Sequence, residues 1–493
     1  MSTDEAPVQG TLASRLAGLS PEARALLKRR LASRGAGASS AIPRRDPGEP
    51  TAISFAQWRL WFLEQLRPGT NAWNTPVAAT LYGSLDIGIL RDSLQLLVDR
   101  HATLRTVFSA PGGRPVPVLL ENARVEIPVL DASGVSGEQR ERAIRAFVDS
   151  EVAKPFDIEA DLMVRASVLR TSPETHVLVL IFHHIACDGW SKRLLLEELS
   201  LAYGALSAGD RPALPELAID YADFAAWQRR ELSGEHLDRL VRYWKERLAG
   251  AAVALELPAD HPRPERQAFG GAVQWLSVPE PLAGAAVRLG RAERATPFMT
   301  LMAAFKVLLY AQSGQLDLLV GSPSAMRTHP ELEPVVGLFA NTLVYRTIVS
   351  GRPSFRELVR RVRETAVGVY AHQDLPFEKI VEAVKPPRDI SRNPLVQVNL
   401  RVEGREPELR LGAMRCEPIP IEPGIARFDL AIELGETDDG WAGYLEYDTA
   451  LFEPATAARY AADFGEVLAS AVAAPDRPID ELEPVREIRA RAR

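Results

Sequence analysis

The sequence predicts an α/β fold built as two mixed lobes, and three observations predict it. Stretches with apolar residues at helical spacing alternate with short strand-like runs through the body of the chain. The run Val177–Phe182 is apolar at every position, the pattern of a central strand covered on both faces. The alternation then resets: long helices at 218–231 and 236–249 and a Pro-rich crossing, Leu257–Pro264, separate a first series of elements from a second.

Taken in order, Leu19-Ser20-Pro21-Glu22 puts Ser at an N-cap, Pro at the first helical position and an acid in the first turn. This predicts a helix over 20–33 that stops at Gly35, with Lys28, Arg29, Arg30 and Arg34 at its basic end. Residues 35–50 have linker composition, so 1–50 reads as a tethered appendage, a docking segment or the relic of a connector. The body starts near Thr51, with a first lobe over 51–225 and a second over 226–493. Helical spacing marks 87–101 through Ile89, Leu90, Leu94, Leu97 and Val98. Strands are expected at Arg105–Ser109 and Pro115–Leu120, and a helix over 137–152. Leu162–Leu169 and His176–Phe182 read as strands around a turn at Ser172–Glu174, followed by a helix from Ser191 to Leu206. In the second series, Val273–Val278 is a strand, 296–313 a strongly amphipathic helix and Leu316–Gly321 a strand. A helix over 354–371, strands over 396–402, 428–435 and 441–447, and a helix over 454–473 complete it.

The bulk properties exclude several classes. The chain has 493 residues, 46% hydrophobic and 25% charged, enough for a sizeable core. With 58 basic against 65 acidic residues, net −7, and no block of like charge, it does not read as a nucleic-acid binder. Lysine supplies only seven of the basic residues, which reads as coding bias and not as phosphate chemistry. Two cysteines, Cys187 and Cys416, make neither a disulfide framework nor a thiolate metal cluster. No apolar run is long enough for a membrane span, and the polar, acidic N-terminus is not a secretory signal. The expectation is a cytoplasmic, monomeric protein with no metal.

The sharpest constellation is His183-His184-Ile185-Ala186-Cys187-Asp188-Gly189-Trp190-Ser191, where the buried strand ends and a helix begins. Adjacent residues leaving a strand point opposite ways, so one imidazole can face a cleft and the other inward. An imidazole can take and return a proton near neutral pH. Asp188 could hold the turn through an arginine or orient a histidine, Gly189 permits close approach, and Ser191 is the expected N-cap. Taken alone, such a pair reads more readily as a structural turn. The ligand set is poor for zinc, and no Gly-x-Ser-x-Gly elbow is present.

The segment resembles the HHxxxDG signature of nonribosomal peptide synthetase condensation domains, within the chloramphenicol-acetyltransferase-like acyltransferase superfamily. Ser54–Leu63 and Arg100–Phe108 match the family's segments before it. Tyr221–Gln228, Val336–Thr342, His372–Glu378 and Arg388–Leu395 match those after it, in the family's order. Such a resemblance implies two chloramphenicol-acetyltransferase-like lobes in a V-shaped pseudo-dimer with the active site in the cleft. It implies amide formation between a carrier-bound acyl thioester and the amine of a second carrier-bound aminoacyl group. Donor and acceptor carrier proteins are the implied partners. Their phosphopantetheine arms carry the substrates, with no permanently bound cofactor.

By this resemblance His184 is the catalytic histidine: it positions or deprotonates the amine, or stabilises the tetrahedral intermediate. His183 is structural. Asp188 is implied to pair with an arginine, Arg105 in preference to Arg100, and Gly189 to keep a tunnel beside His184 open. Asn341 is a candidate polar contact from the second lobe, and Trp190 and Ser191 are supporting residues. The Asp-Gly-Trp-Ser run favours condensation over epimerisation relatives, and intact His183 argues against heterocyclisation relatives. A thioester is already activated, so the main task is to bring tethered reactants together. A base near pKa ~7 suffices for an α-amine of pKa ~8. Trp58, Trp61, Phe62 and Leu63 are expected in the core, as are Tyr221, Phe224 and Trp227. Arg388 and Arg392 are expected in fold-locking ion pairs, His372 in a turn, and Cys187 as a buried filler. Residues 481–493 do not open an adenylation domain and no carrier serine motif is visible, which suggests a standalone enzyme or an excised piece. The alternatives are a hydroxyl or soluble amine acceptor at the same site, or a non-catalytic recruitment module. A coenzyme-A-dependent acetyltransferase is the weakest of them.

Overall fold

A computed structural model describes residues 41–46, 49, 51–405, 407–422 and 424–491. The helix expected over 20–33 and most of the 35–50 linker lie outside the described residues. The described part of that linker is tied down: Ile42 is buried, and the Arg44 guanidinium donates to the carbonyls of Leu217 and Ala218.

Helix α1 (Phe55–Leu66) begins at a reciprocal cap in which Ser54 Oγ accepts the Gln57 N–H and the Gln57 side chain accepts the Ser54 N–H. Then come β1 (Asn74–Tyr82), α2 (Ile87–Arg100), β2 (Thr106–Ser109), β3 (Val116–Leu119), β4 (Val129–Asp131) and α3 (Glu138–Ala153). The antiparallel pair β5 (Val164–Ser172) and β6 (Thr175–His183) leads into α4 (Gly189–Ser207), α5 (Tyr221–Glu231) and α6 (Gly234–Leu248). The first sheet has β1, β6, β5 and β4 in that order, and a strand from the second half completes it beside β1. Its centre, β6, explains the continuous apolar run. Leu178, Leu180 and Phe182 pack toward α2 and α4, with Leu94, Leu97, Leu195 and Leu199. Val177, Val179 and Ile181 pack on the other face, with Phe147, Val148 and Val152 of α3. Each such side chain contributes roughly 1.5–3 kcal/mol when fully buried.

The second half contains β7 (Gly271–Pro279), α7 (Glu280–Ala292), α8 (Pro297–Ser313), β8 (Asp317–Ser324), β9 (Asn341–Ile348), α9 (Phe355–Ala371) and α10 (Phe377–Val384). It continues with β10 (Val398–Glu403), β11 (Arg415–Pro418), β12 (Leu430–Thr437), β13 (Gly440–Asp448), α11 (Pro454–Ala473) and α12 (Glu483–Arg491). Its sheet runs β7-β13-β12-β10-β8-β9, with β10 parallel to both β12 and β8. Strand β11 leaves this half and pairs antiparallel with β1, from Ala79↔Pro418 to Tyr82↔Arg415. The two halves are therefore interlocked, because β11 covers backbone that β1 would otherwise expose at a sheet edge.

Two expectations about packing change. Helix α8 is not amphipathic: every residue from Met299 to Ala311 is buried, so the helix lies inside the core of the second half. Trp58 and Phe62 are 40% and 46% exposed, because they sit on the outer face of α1 while Leu60 and Trp61 face inward. Tyr221 and Phe224 do join a core with Ile42, Leu332 and Phe339, and Arg392 bridges Glu256 and Asp389.

The core of α8 contains one charged-type residue, Lys306, fully buried with Nζ donating to the carbonyls of Leu318 and Tyr345. Burial, with the nearby Arg247 charge, pushes its amine well below the ordinary lysine value. A group depressed in the folded state loses stability as pH falls toward that value, because the unfolded chain binds the proton first. Lys306→Met should therefore gain thermal stability relative to the native chain as pH falls from 9 to 6. Paired melting curves across that range check it. A constant difference between the two chains contradicts the assignment.

Candidate active site

Strand β6 ends at His183, and the chain turns through residues 184–188 before α4 begins. The strand's alternation sends the two imidazoles to different environments. His183 is buried: its Nε2 lies 3.2 Å from Glu64 Oε1 on α1, its Nδ1 accepts the Ile185 N–H, and Phe156 lies edge-on at 5.4 Å. A nitrogen that accepts an N–H carries no proton, so Nε2–H donates to Glu64. Burial pushes the His183 pKa down, only partly offset by Glu64.

His184 is partly exposed. Its backbone N–H donates to the Trp73 carbonyl at 2.8 Å. Its Nδ1 lies 2.9 Å from the Cys187 carbonyl, which can only accept, so Nδ1 carries the proton and Nε2 keeps its lone pair. The imidazole lies parallel to the Trp73 indole, 7° between planes and 6.4 Å between centroids. Its pKa is pushed down to about 3, first by burial and then by the Arg427 guanidinium. His184 is therefore an uncharged ring at neutral pH, a weaker base than the value near neutrality expected from sequence. Cys187 is buried, and burial pushes its thiol up, which fits a filler.

Asp188 is the N-cap of α4, its Oδ1 accepting the Ser191 N–H at 2.9 Å; Ser191, expected as the cap, is the residue capped. Asp188 does not pair with Arg105 or Arg100. Its partner is Arg327 from the loop after β8, which forms a two-pronged pair at 2.5 and 3.2 Å. Both side chains are almost wholly buried. Arg105 is instead committed to the carbonyls of Val98, Asp99 and Leu120, and Arg100 to Glu198 and the Pro215 carbonyl. Burial alone would raise the Asp188 pKa; Arg327 and the Ser191 hydrogen bonds outweigh it and hold the carboxyl below its ordinary value.

The same lock carries further contacts to the second half. Asp188 Oδ2 accepts the Phe339 N–H at 3.0 Å. Ser191 Oγ donates to the Gly337 carbonyl and accepts from Gly337 N–H and Arg327. Trp190 Nε1–H donates to the Glu333 carbonyl. Gly337 must be small, since a Cβ there would lie 1.9 Å from the Tyr221 ring. A Cβ at Gly189 would lie 2.5 Å from an Arg401 guanidinium nitrogen, so the space beside this glycine is held by an arginine. Arg401 is pinned by Glu403 and Glu433.

Asn341, expected as a polar contact, spends its whole amide on structure. It donates to the carbonyls of Gln373 and Leu375 and accepts the Phe377 N–H, fastening the turn after α9. Sequence reasoning missed Arg327, Glu64, Trp73, Arg401 and Arg427. For Arg327 a signal existed: an arginine shortly after the apolar strand Leu316–Gly321, in a position equivalent to a strand-end site.

A family model described as "Condensation domain" matches residues 49–492. A component of the linear gramicidin synthase of Brevibacillus parabrevis is 41% identical over 446 residues, 90% of this chain and 6% of that protein. Phosphinothricin tripeptide synthetase PhsC of Streptomyces viridochromogenes is 38% identical over 494 residues, 97% of this chain and 45% of its own length. The chain thus spans less than half of these curated relatives. Among solved structures, the X-domain from teicoplanin biosynthesis, in complex with OxyB, superposes with TM-score 0.80 at 30% identity, covering 91% of this chain and 99% of that one. SgcC5 from Streptomyces globisporus superposes with TM-score 0.73 at 30% identity, covering 87% and 100%.

The buried Asp188–Arg327 pair makes a direct prediction. Removing one partner leaves an uncompensated buried charge, so Arg327→Ala should cost about 3–5 kcal/mol in a urea unfolding series. Because the Asp188 pKa is depressed, its contribution is complete above about pH 4, the unfolded value, and is lost as pH falls through the lower folded value. A loss below about 1 kcal/mol, the scale of an exposed pair, would show that the lock is not tight.

Proposed function

The chain belongs to the condensation-domain family of nonribosomal peptide synthetases, a family of acyl transferases, and on that premise we propose that it joins two carrier-bound substrates through an amide bond. The donor is an acyl or aminoacyl thioester on one phosphopantetheine arm, and the acceptor is the amine of an aminoacyl group on another. The observation that carries this reading is the free, uncharged Nε2 of His184, held by the Nδ1–H bond to the Cys187 carbonyl.

The chemistry follows from the basicity of that nitrogen. An α-ammonium titrates near pH ~8, well above His184, so His184 is a poor base toward it. The acceptor therefore attacks as the free amine. Nε2 accepts its N–H and aims its lone pair at the thioester carbonyl, which supplies orientation and not base strength. As the C–N bond forms, the carbonyl π pair moves onto oxygen and the nitrogen becomes cationic and more acidic than the free ammonium. Nε2 takes one of its protons, the carbonyl re-forms as the C–S bond breaks, and the departing thiolate receives that proton back from Nε2.

A hydroxyl acceptor is the second reading. SgcC5, crystallised with a naphthyl ethanediol, gives that reading its weight. A hydroxyl needs stronger base assistance than a His184 pushed to about 3 offers, which is why the amine comes first. The X-domain that forms a complex with OxyB keeps a recruitment role among the alternatives.

The test loads carrier proteins with acyl and aminoacyl groups and follows product by mass spectrometry, with matched amine and alcohol acceptors. The expected product is the amide, and His184→Ala should lower turnover by about 10²–10⁴-fold without lowering the melting temperature. Turnover unchanged in His184→Ala removes this mechanism. Ester formation alone moves the assignment to the hydroxyl reading. No product with either acceptor, together with tight binding of a partner protein, moves it to recruitment.

A further inference from the structure

Arg427 lies just before β12 in the second half, yet its guanidinium donates to the Ala72 carbonyl of the first half at 2.6 Å. It also sits over the Trp73 indole at 4.6 Å. Trp73 in turn lies parallel to the His184 ring, and its carbonyl accepts the His184 backbone N–H. Guanidinium, indole and imidazole thus form one series, begun by one half of the chain and ended by the other. None of the segments read from sequence includes Trp73 or Arg427.

We propose that Arg427 is a positioning residue for His184: it clamps the Ala72–Trp73 backbone and seats the indole against the imidazole. Its positive charge then adds to burial in opposing protonation of the ring. Arg427, Asp188 and His183 are the charged or titratable side chains that act most strongly on the ring. Arg427 acts on it from the second half, and Asp188 and His183 act on it more weakly from its own loop. Trp73 contributes no charge. Around Arg427 itself stand Glu446, Arg59, Arg401 and Tyr444. Glu446 accepts the Arg427 backbone N–H, and burial pushes its carboxyl up to about 7. Below neutrality, therefore, Glu446 carries little charge to cancel the guanidinium, and the field of Arg427 on His184 is at its strongest in acid. Arg401 is neutralised by Glu403 and Glu433, so it cannot substitute.

The role has its meaning on the condensation reading, because a protonated His184 has no lone pair for the acceptor amine. The test separates the two. Selectively labelled histidine in the intact chain, with the His184 signal assigned from His184→Ala, reports the imidazolium fraction at pH 5 by NMR without any substrate. Removing an adjacent cation should raise the His184 midpoint by about 1 unit, so Arg427→Gln should increase that fraction about tenfold. Arg427→Lys, which keeps the charge, should stay near the native fraction. In the carrier assay, the acid limb of kcat should move to higher pH in the Gln variant and be restored in the Lys variant. If Arg427→Gln fails to fold, Arg427→Met removes the same charge and takes its place. An unchanged imidazolium fraction in the uncharged variants overturns the proposal, and so does an equal rise in the Lys variant, which would mark a purely structural contact. A shifted NMR fraction with no condensation product retains the positioning role and rejects the condensation reading instead.

Discussion

Everything at the site depends on one buried ion pair, Asp188–Arg327. Its partners lie 139 residues apart, one at the N-cap of α4 and the other after β8. Two charges taken out of water are tolerable only when their remaining hydrogen-bonding capacity is also used. Here most of it is used: the carboxylate also accepts from Ser191 and Phe339 N–H, and the terminal guanidinium nitrogens also donate to Ser191 Oγ and to the Ala325 and Val335 carbonyls, while Arg327 Nε–H is left buried without a partner among the described residues. The pair is therefore less a source of net stability than a register mark. It admits one relative placement of the His183–Ser191 loop and the 333–341 segment.

That fixed placement gives the two histidines their separate surroundings. His183 faces inward and ties the loop to Glu64 on α1. His184 faces the other way, and its tautomer is set by a carbonyl of its own loop, so nothing mobile decides which nitrogen is free. A loop held at Asp188 by the second half, and at His183 by the first, leaves the imidazole little room to turn. Gly189 contributes at the same place by leaving space for Arg401, whose charge is absorbed by two glutamates and does not reach the ring uncompensated.

The regular elements were legible because periodicity is a local property. The spacing of Leu90, Leu94, Leu97 and Val98 marks α2, and the apolar run before His183 marks the centre of a sheet. Strand β1 escaped because it carries Pro76 and small residues. Its partner β11 covers only Ala79–Tyr82, so the missing N–H of Pro76 lies where the strand has a single neighbour. Helix α8 misled because a helix buried all round still shows helical spacing. At the site, the motif named His184 and Asp188, but no local pattern says which arginine of 51 crosses the fold to meet a given carboxylate. Arg105 lies in a matching motif segment, yet it spends its guanidinium on the carbonyls of Val98, Asp99 and Leu120. Asn341 shows the converse error: a residue inside a motif segment can be there to hold a turn.

A weakly basic histidine suits the proposed chemistry. The thioester needs no further activation, and an amine near neutral pH already has a reactive free-base fraction. A histidine of ordinary basicity would be partly protonated in mildly acidic conditions, and an imidazolium would repel the acceptor's ammonium form while offering no lone pair to the free amine. Lowering its basicity by burial and by a neighbouring cation trades proton affinity for a constant, directional acceptor. In the proposed sequence the loss is small, because the proton leaves after C–N bond formation has made the nitrogen more acidic. The same logic fits the proposed role of Arg427: burial is the larger cause of the neutral ring, and a cation from the second half reinforces it.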